Sequence, residues 1–183
     1  MNIRIQSVVI GLFVAGLVST IFFGVVNAQS TQEGDQQSAR IRASCLSAKN
    51  TLDRLHASDA LLRVNRGQIY ESMSTKLMTR FNSRVDSNRL DAKALIGVTE
   101  NYGTALATFR SDYQSYEEQL SLALRIDCTK EPMTFFDAVA DARTKRTQVH
   151  VDVVKLHQYI DEYRSTFESF VSDYRATVQE NAQ

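Results

Sequence analysis

Two cysteines, Cys45 and Cys128, are the side chains in this 183-residue sequence best placed to do chemistry. They lack the Cys-x-x-Cys spacing of a redox catalyst, so what they offer is oxidation to a structural disulfide. Their midpoint falls inside a short polar turn, Asp86-Ser87-Asn88-Arg89, set between two long helical patterns. In an antiparallel hairpin, residues equidistant from the turn face each other, so position alone pairs the two thiols. The bridge would close a loop of more than eighty residues, for which loop entropy gives roughly 4–5 kcal/mol. Two buried free thiols are the alternative.

The remaining chemistry is thin. Of the three histidines, His157 lies four residues before Asp161, and His150 lies two turns earlier on roughly the same stripe; His56 stands apart. A metal site needs three or four converging donors, and the Glu-x-x-His pairs of a di-iron bundle are missing. No metal and no cofactor are expected. There is no Gly-x-Ser-x-Gly elbow and no phosphate-cradling glycine loop. The adjacent carboxylates Glu117-Glu118 and Asp161-Glu162 point apart on a helix and read as solvated faces. No catalytic residue is expected, and the protein is not expected to be an enzyme. The 21 Lys and Arg balance 21 Asp and Glu, which leaves no overall field for nucleic acid. Arg143, Lys145 and Arg146 sit among Asp137 and Asp141, which offset a local phosphate-binding field.

The elements that must position these residues are helices. One proline and no tryptophan occur in the whole sequence, and scarce proline permits long uninterrupted helices. Apolar residues recur at steps of three and four: Ile41, Cys45, Ala48, Leu52, Leu55, Leu62, Ile69, Met73, with Asp59 and Arg66 in two slots. From Met73 the steps become four, four, four through Leu77, Phe81 and Val85, a drift like that at a coiled-coil stutter. A first helix is predicted over 39–85, roughly 70 Å long. A second, over 91–126, opens at Asp91 and carries Leu95 or Ile96, Tyr102, Leu106, Phe109, Tyr113, Tyr116, Leu120 and Leu124. Pro132 suits the first turn of a third helix over 132–179, with Phe136, Val139, Val149, Val153, Leu156, Ile160, Tyr163, Phe167, Phe170 and Tyr174 on its seam. No segment alternates with period two. The fold class is therefore all-α: an elongated, coiled-coil-like antiparallel three-helix bundle in which helices one and three run parallel.

This topology sets levels. Partners on helices one and two should have numbers summing to about 173, which brings Tyr70 near Gly103. Helices one and three should be offset by about 87, which levels Asp59 with Arg146, Arg63 with His150, and Tyr70 with His157. Asp59 and Arg146 each interrupt a seam, and an ion pair between them would fix the register. A solvated pair on a rotated face is the other reading.

Ahead of the bundle, residues 7–26 carry no charge, and Arg4 is the one charge before them. Val26-Asn27-Ala28 followed by Gln29 suits signal peptidase, making residues 1–28 a signal peptide. A run of twenty residues without a charge is also about long enough to span a bilayer as an uncleaved signal-anchor. Either places the rest outside the cytoplasm, secreted or anchored to the cytoplasmic membrane. Residues 29–38, rich in Gln and Ser with Gly34, are expected as a flexible spacer.

The stretch from Asp127-Cys128 through Glu131-Pro132, then Phe135-Phe136-Asp137, Ala142-Arg143 and Arg146, resembles uncharacterised exported helical proteins of candidate-phyla bacteria of the Saccharibacteria kind. Those combine a leader or anchor with one cysteine early in the first long helix and another just before the last. The resemblance implies the topology and the envelope location and brings no activity. The expected function is a non-enzymatic envelope scaffold or spacer with protein partners. Its alternatives are an extracytoplasmic ligand-sensing bundle working with a partner, and a holdase-like chaperone. A cavity of several hundred Å³ would favour the sensor, an open apolar groove the holdase, and neither the spacer.

Overall fold

The computed structural model describes residues 26–180. The apolar run 7–26 lies outside these apart from its last residue, and with it the choice between leader and anchor at Ala28-Gln29. Among the described residues no helix is long and apolar enough to cross a membrane. The chain divides into two compact units, Met1–Asp35 and Gln36–Gln183. The bundle belongs to the second.

Four α-helices follow in order: α1 (Val26–Ser72), α2 (Thr79–Ser87), α3 (Lys93–Arg125) and α4 (Pro132–Glu180), and no strand occurs among the described residues. A π-helical segment, Met73–Met78, joins α1 to α2 without a break, since Ser72 and Thr79 both keep right-handed helical dihedrals. The Thr79 amide and hydroxyl both donate to the Ser74 carbonyl, the hydroxyl at 2.8 Å. This segment coincides with the run of four-residue steps. A wider turn holds one residue more than an α-turn, so steps of four complete a turn there instead of drifting. The insertion also moves the buried position along by one: Met78 is buried and Leu77 is exposed.

Residues 29–38, expected as a flexible spacer, continue α1 as helix. One internal glycine costs about 1 kcal/mol against alanine, and Gln, Glu and Ser at the other positions do not stop a helix with this much length behind it.

The α2–α3 turn is closed by a Schellman arrangement. Arg89 takes φ 59°, its amide donates to the Asp86 carbonyl at 2.8 Å, and the Leu90 amide donates to Val85 at 3.1 Å. The Asp91 carboxylate then accepts from the Lys93 amide at 3.0 Å and opens α3. At the other end of α3 the chain becomes extended at Ile126, whose carbonyl accepts from Lys49 Nζ at 3.0 Å. Asp127 accepts from the Thr129 hydroxyl at 2.6 Å and from its amide at 3.0 Å. These bonds hold the Asp127 carboxyl down at about 2. Pro132 supplies the first residue of α4.

Helix α3 is the spine of the unit. Of its expected seam, Leu95, Tyr102, Leu106, Phe109, Tyr113, Tyr116 and Leu120 are buried, and Leu124 is half-buried. Helix α1 follows its seam less well. Leu62 and Ile69, expected inside, are exposed, and every residue from 61 to 66 is exposed. On α4 the buried ring is Phe135 and the exposed one is Phe136, a rotation of one residue, and Tyr174 is exposed too. The core falls into three clusters along the bundle. One around Tyr102, Leu106, Phe109 and Leu156 lies toward the α2–α3 turn. One around Tyr113, Tyr116 and Leu120 lies in the middle. The third packs Phe135 against Cys45 and Cys128.

A braced cavity between three helices

Asp59 and Arg146 meet. Arg146 Nε donates to Asp59 Oδ2 at 2.7 Å and Nη2 to Oδ1 at 3.1 Å, a bidentate fork. The Tyr116 hydroxyl donates to the same Oδ2 at 2.7 Å. Asp59 is thus tied to both α3 and α4, and it is buried, whereas the Arg146 side chain is 50% exposed. Burial alone would raise the Asp59 carboxyl, but the bonds from Arg146 and Tyr116 outweigh it and hold it below the usual range. Burial, and then donation to Asp59, push the Tyr116 phenol upward. About one turn away, His56 Nε2 lies 3.3 Å from Glu117 Oε1.

A second brace joins α1 to α4 farther along. Tyr70 Oη and His157 Nε2 are hydrogen-bonded at 3.0 Å, at the same separation of 87 residues that relates Asp59 to Arg146. A constant offset is what parallel helices give. The Tyr70 carbonyl accepts from the Tyr102 hydroxyl at 3.0 Å, one residue from the Gly103 expected there. The Tyr70 ring meets Phe109 edge-on, centroids 5.8 Å apart. Arg110 pairs with Glu71 beside it.

Between the braces α1 runs eleven residues, roughly 16 Å at 1.5 Å per residue. The exposed stretch 61–66 lies there, and beneath it opens a cavity of about 550 Å³ walled by α1, α3 and α4. Phe109, Tyr113 and Tyr116 are its share of α3, and Leu62, Val149 and Val153 add apolar wall. Four guanidiniums also line it, Arg63 and Arg66 from α1 with Arg143 and Arg146 from α4. Asp59 is the one carboxylate among its lining residues. Arg63 stacks over the Tyr113 ring, 5.0 Å from its centroid. Burial, helped by the nearby Glu117 carboxylate, pushes the Tyr113 phenol up to about 12, so the ring stays neutral at physiological pH. The arrangement offers fork-shaped donors for an anion and flat rings for an apolar body.

The cysteines take no part in this. They form a disulfide with Cα atoms 5.6 Å apart, on the order of 20 Å along α1 from Asp59. The histidines fall in three places: His56 at Glu117, His150 on the cavity wall and His157 at Tyr70. Among the described residues no group of three or more potential ligands could hold a metal ion.

Sequence reasoning missed the convergence of the arginines. Considered along α4 alone, Arg143 and Arg146 are diluted by Asp137 and Asp141, but those carboxylates are not in the cavity lining. The signal was in the offset, which already levels Arg63 and Arg66 with residues of the same stretch of α4. No protein-family model, curated protein or solved structure matches the chain.

Proposed function

We propose that this is a non-catalytic extracytoplasmic protein whose helical bundle holds a small ligand in the mid-bundle cavity and works with a protein partner. One observation carries this reading: a cavity of about 550 Å³, well inside the range of small-molecule sites. It sits between two hydrogen-bonded braces, so its mouth is held open by structure. A plain spacer has no use for such a gap, and a holdase groove would be lined by apolar side chains without four guanidiniums. The extracytoplasmic placement rests on the apolar run 7–26, and a disulfide that persists in oxidising compartments agrees with it.

The test is native mass spectrometry of the full chain purified from its own envelope. A bound small molecule should appear, and Val153→Trp, which projects an indole into the cavity, should lose it. If the native protein carries nothing, and no compound in a chemically diverse set shifts its melting, the reading is wrong. The scaffold reading would then return, supported by Leu61 and Val64, exposed one turn apart on α1. Crosslinking from the native envelope, with Cys45→Ser as control, would find its partner.

A further inference from the structure

We infer that the cavity is a site for an amphipathic organic anion, a single phosphate or carboxylate carried on an apolar body. This rests on the ligand-holding reading above and adds the ligand's chemistry to it. The charge is the first argument. The whole sequence carries 21 cations and 21 anions, yet the cavity gathers four guanidiniums against one carboxylate. That carboxylate, Asp59, is already engaged by Arg146 in a bidentate pair. Among the described residues no carboxylate lies within 4.0 Å of Arg63, Arg66 or Arg143.

The arrangement of these arginines is the second argument. Arg63 and Arg66 are three apart on α1, as are Arg143 and Arg146 on α4, so each pair shares a helix face. The 87-residue offset places Arg146 level with Asp59, about one turn from Arg63. By level along the bundle the four follow in the order Arg143, Arg146, Arg63, Arg66 from the disulfide end. Guanidiniums lining one cavity repel one another less when an anion sits among them, and their planar forks match a carboxylate or phosphate.

The apolar body follows from the rest of the lining. Phe109, Tyr113, Tyr116 and Val153 can cover a ring or chain from water, and Tyr113 already accepts one guanidinium on its face. Inorganic phosphate alone would leave this surface unused. A neutral hydrophobe would leave the arginines unpaired.

The experiment titrates the full, oxidised chain with 1-naphthyl phosphate, dodecyl phosphate, 1-naphthol and inorganic phosphate. Naphthyl emission reports binding directly, since the chain contains no tryptophan to mask it. At least one phosphate ester should bind tenfold or more tighter than both 1-naphthol and inorganic phosphate. The ring and chain esters distinguish a free aromatic acid from a lipid-derived one. Arg66→Gln with Arg143→Gln, neither of them stacked on Tyr113, should lower ester affinity at least tenfold and leave 1-naphthol binding and the melting temperature unchanged. Both side chains are exposed, so the fold tolerates the change, and Arg63→Gln, which also removes the stack on Tyr113, gives a second variant. Equal binding of 1-naphthol and the esters, or esters indifferent to the arginines, would overturn the anion assignment and leave the cavity reading intact. No binding of any of the four would overturn the anion assignment too, and the wider compound set would then decide the cavity.

Discussion

Helices α3 and α1 face the same core but use their apolar residues in opposite ways. On α3 every expected seam residue from Tyr102 to Leu120 is buried, while α1 leaves Leu61, Leu62 and Val64 in solvent. The difference is one of neighbours. Helix α3 packs against both α1 and α4, so a regular apolar stripe has somewhere to go along its whole length. Helix α1 meets α4 through apolar packing near the disulfide, and farther along polar pairs reach across at Asp59–Arg146 and Tyr70–His157. Between those ties its seam slots are Leu62, Arg66 and Ile69, all three exposed, and Arg66 does not belong in a dry core. Where the stripe fails, the helices part, and the cavity is the space left. A broken heptad is here the mark of the site.

Breaking the disulfide should have the largest effect and should fall on α1 more than on α3. The bridge spans 83 residues, and its loss in Cys45→Ser/Cys128→Ser should cost roughly 4–5 kcal/mol by loop entropy. Urea denaturation reads the loss. Hydrogen exchange should show protection falling first over residues 41–59 of α1 while the middle of α3 holds. Equal loss on both helices would mean that α1 depends on the clamp no more than the spine does.

Truncating one side chain on each helix sharpens the contrast. Tyr102 is fully buried and its hydroxyl donates to the Tyr70 carbonyl, so Tyr102→Ala should cost about 3–5 kcal/mol. Leu62→Ala should stay within about 0.5 kcal/mol, because its side chain is already half in water. Similar costs in chemical denaturation would show that α1 closes over the cavity in solution.

Two buried carboxylates should respond to pH with opposite signs. Asp59 is held below its unfolded value, so its contribution is complete above that value and is lost as pH falls through the lowered one. Asp59→Asn should cost roughly 1–2 kcal/mol at pH 7 and flatten the acid limb of the stability curve. Asp152 lies buried on α4 with one oxygen bonded to Gln148 at 3.2 Å. Its other oxygen has no partner among the described residues. Burial, reinforced by the neighbouring Asp112, raises its carboxyl, and the Gln148 bond and Lys155 only partly offset this. The native state then holds its proton longer than the unfolded chain does, and stability falls as pH rises between the two values. Asp152→Asn should therefore stabilise by about 1 kcal/mol at pH 7, with no gain below pH 4. Thermal melts across pH 3–8 decide both signs.

Much of this architecture could be seen in the sequence because parallel and antiparallel packing are linear rules. The offset that levels Asp59 with Arg146 is one number, and α3 has a regular stripe. The antiparallel rule drifts. The register that joins Cys45 to Cys128 also joins His56 to Glu117, but near the turn Asn82 donates to Thr99 instead of lying beside Asp91. The π-helical segment Met73–Met78 lies between these two levels and adds a residue to that helical run. Helix α3 therefore needs fewer residues than α1 for the same span. The cavity was hidden for a different reason. Its arginines are unremarkable on either helix alone and gain meaning only once two helices are set side by side. The exchange of Phe136 for Phe135 reflects a helix phase that Pro132 and the Asp127 turn fix, and apolar spacing cannot distinguish two adjacent phenylalanines.

The smallest expected effect concerns the π-segment, where α1 passes its load to α2. Deleting Lys76, one residue of Met73–Met78, should convert the wide turn to α-helix and leave the buried faces on both sides in register. The change in stability should stay within about 1 kcal/mol, because the residue removed is itself exposed. Deleting Arg110 from the middle of α3 rotates all that follows by about 100° and takes Tyr113, Tyr116 and Leu120 off the core. That protein should not fold. The pair of deletions therefore asks whether α1 carries slack that α3 lacks. A Lys76 deletion as damaging as the α3 one would mean the π-turn is itself a packed element, with Met78 locked against α3 by the extra residue.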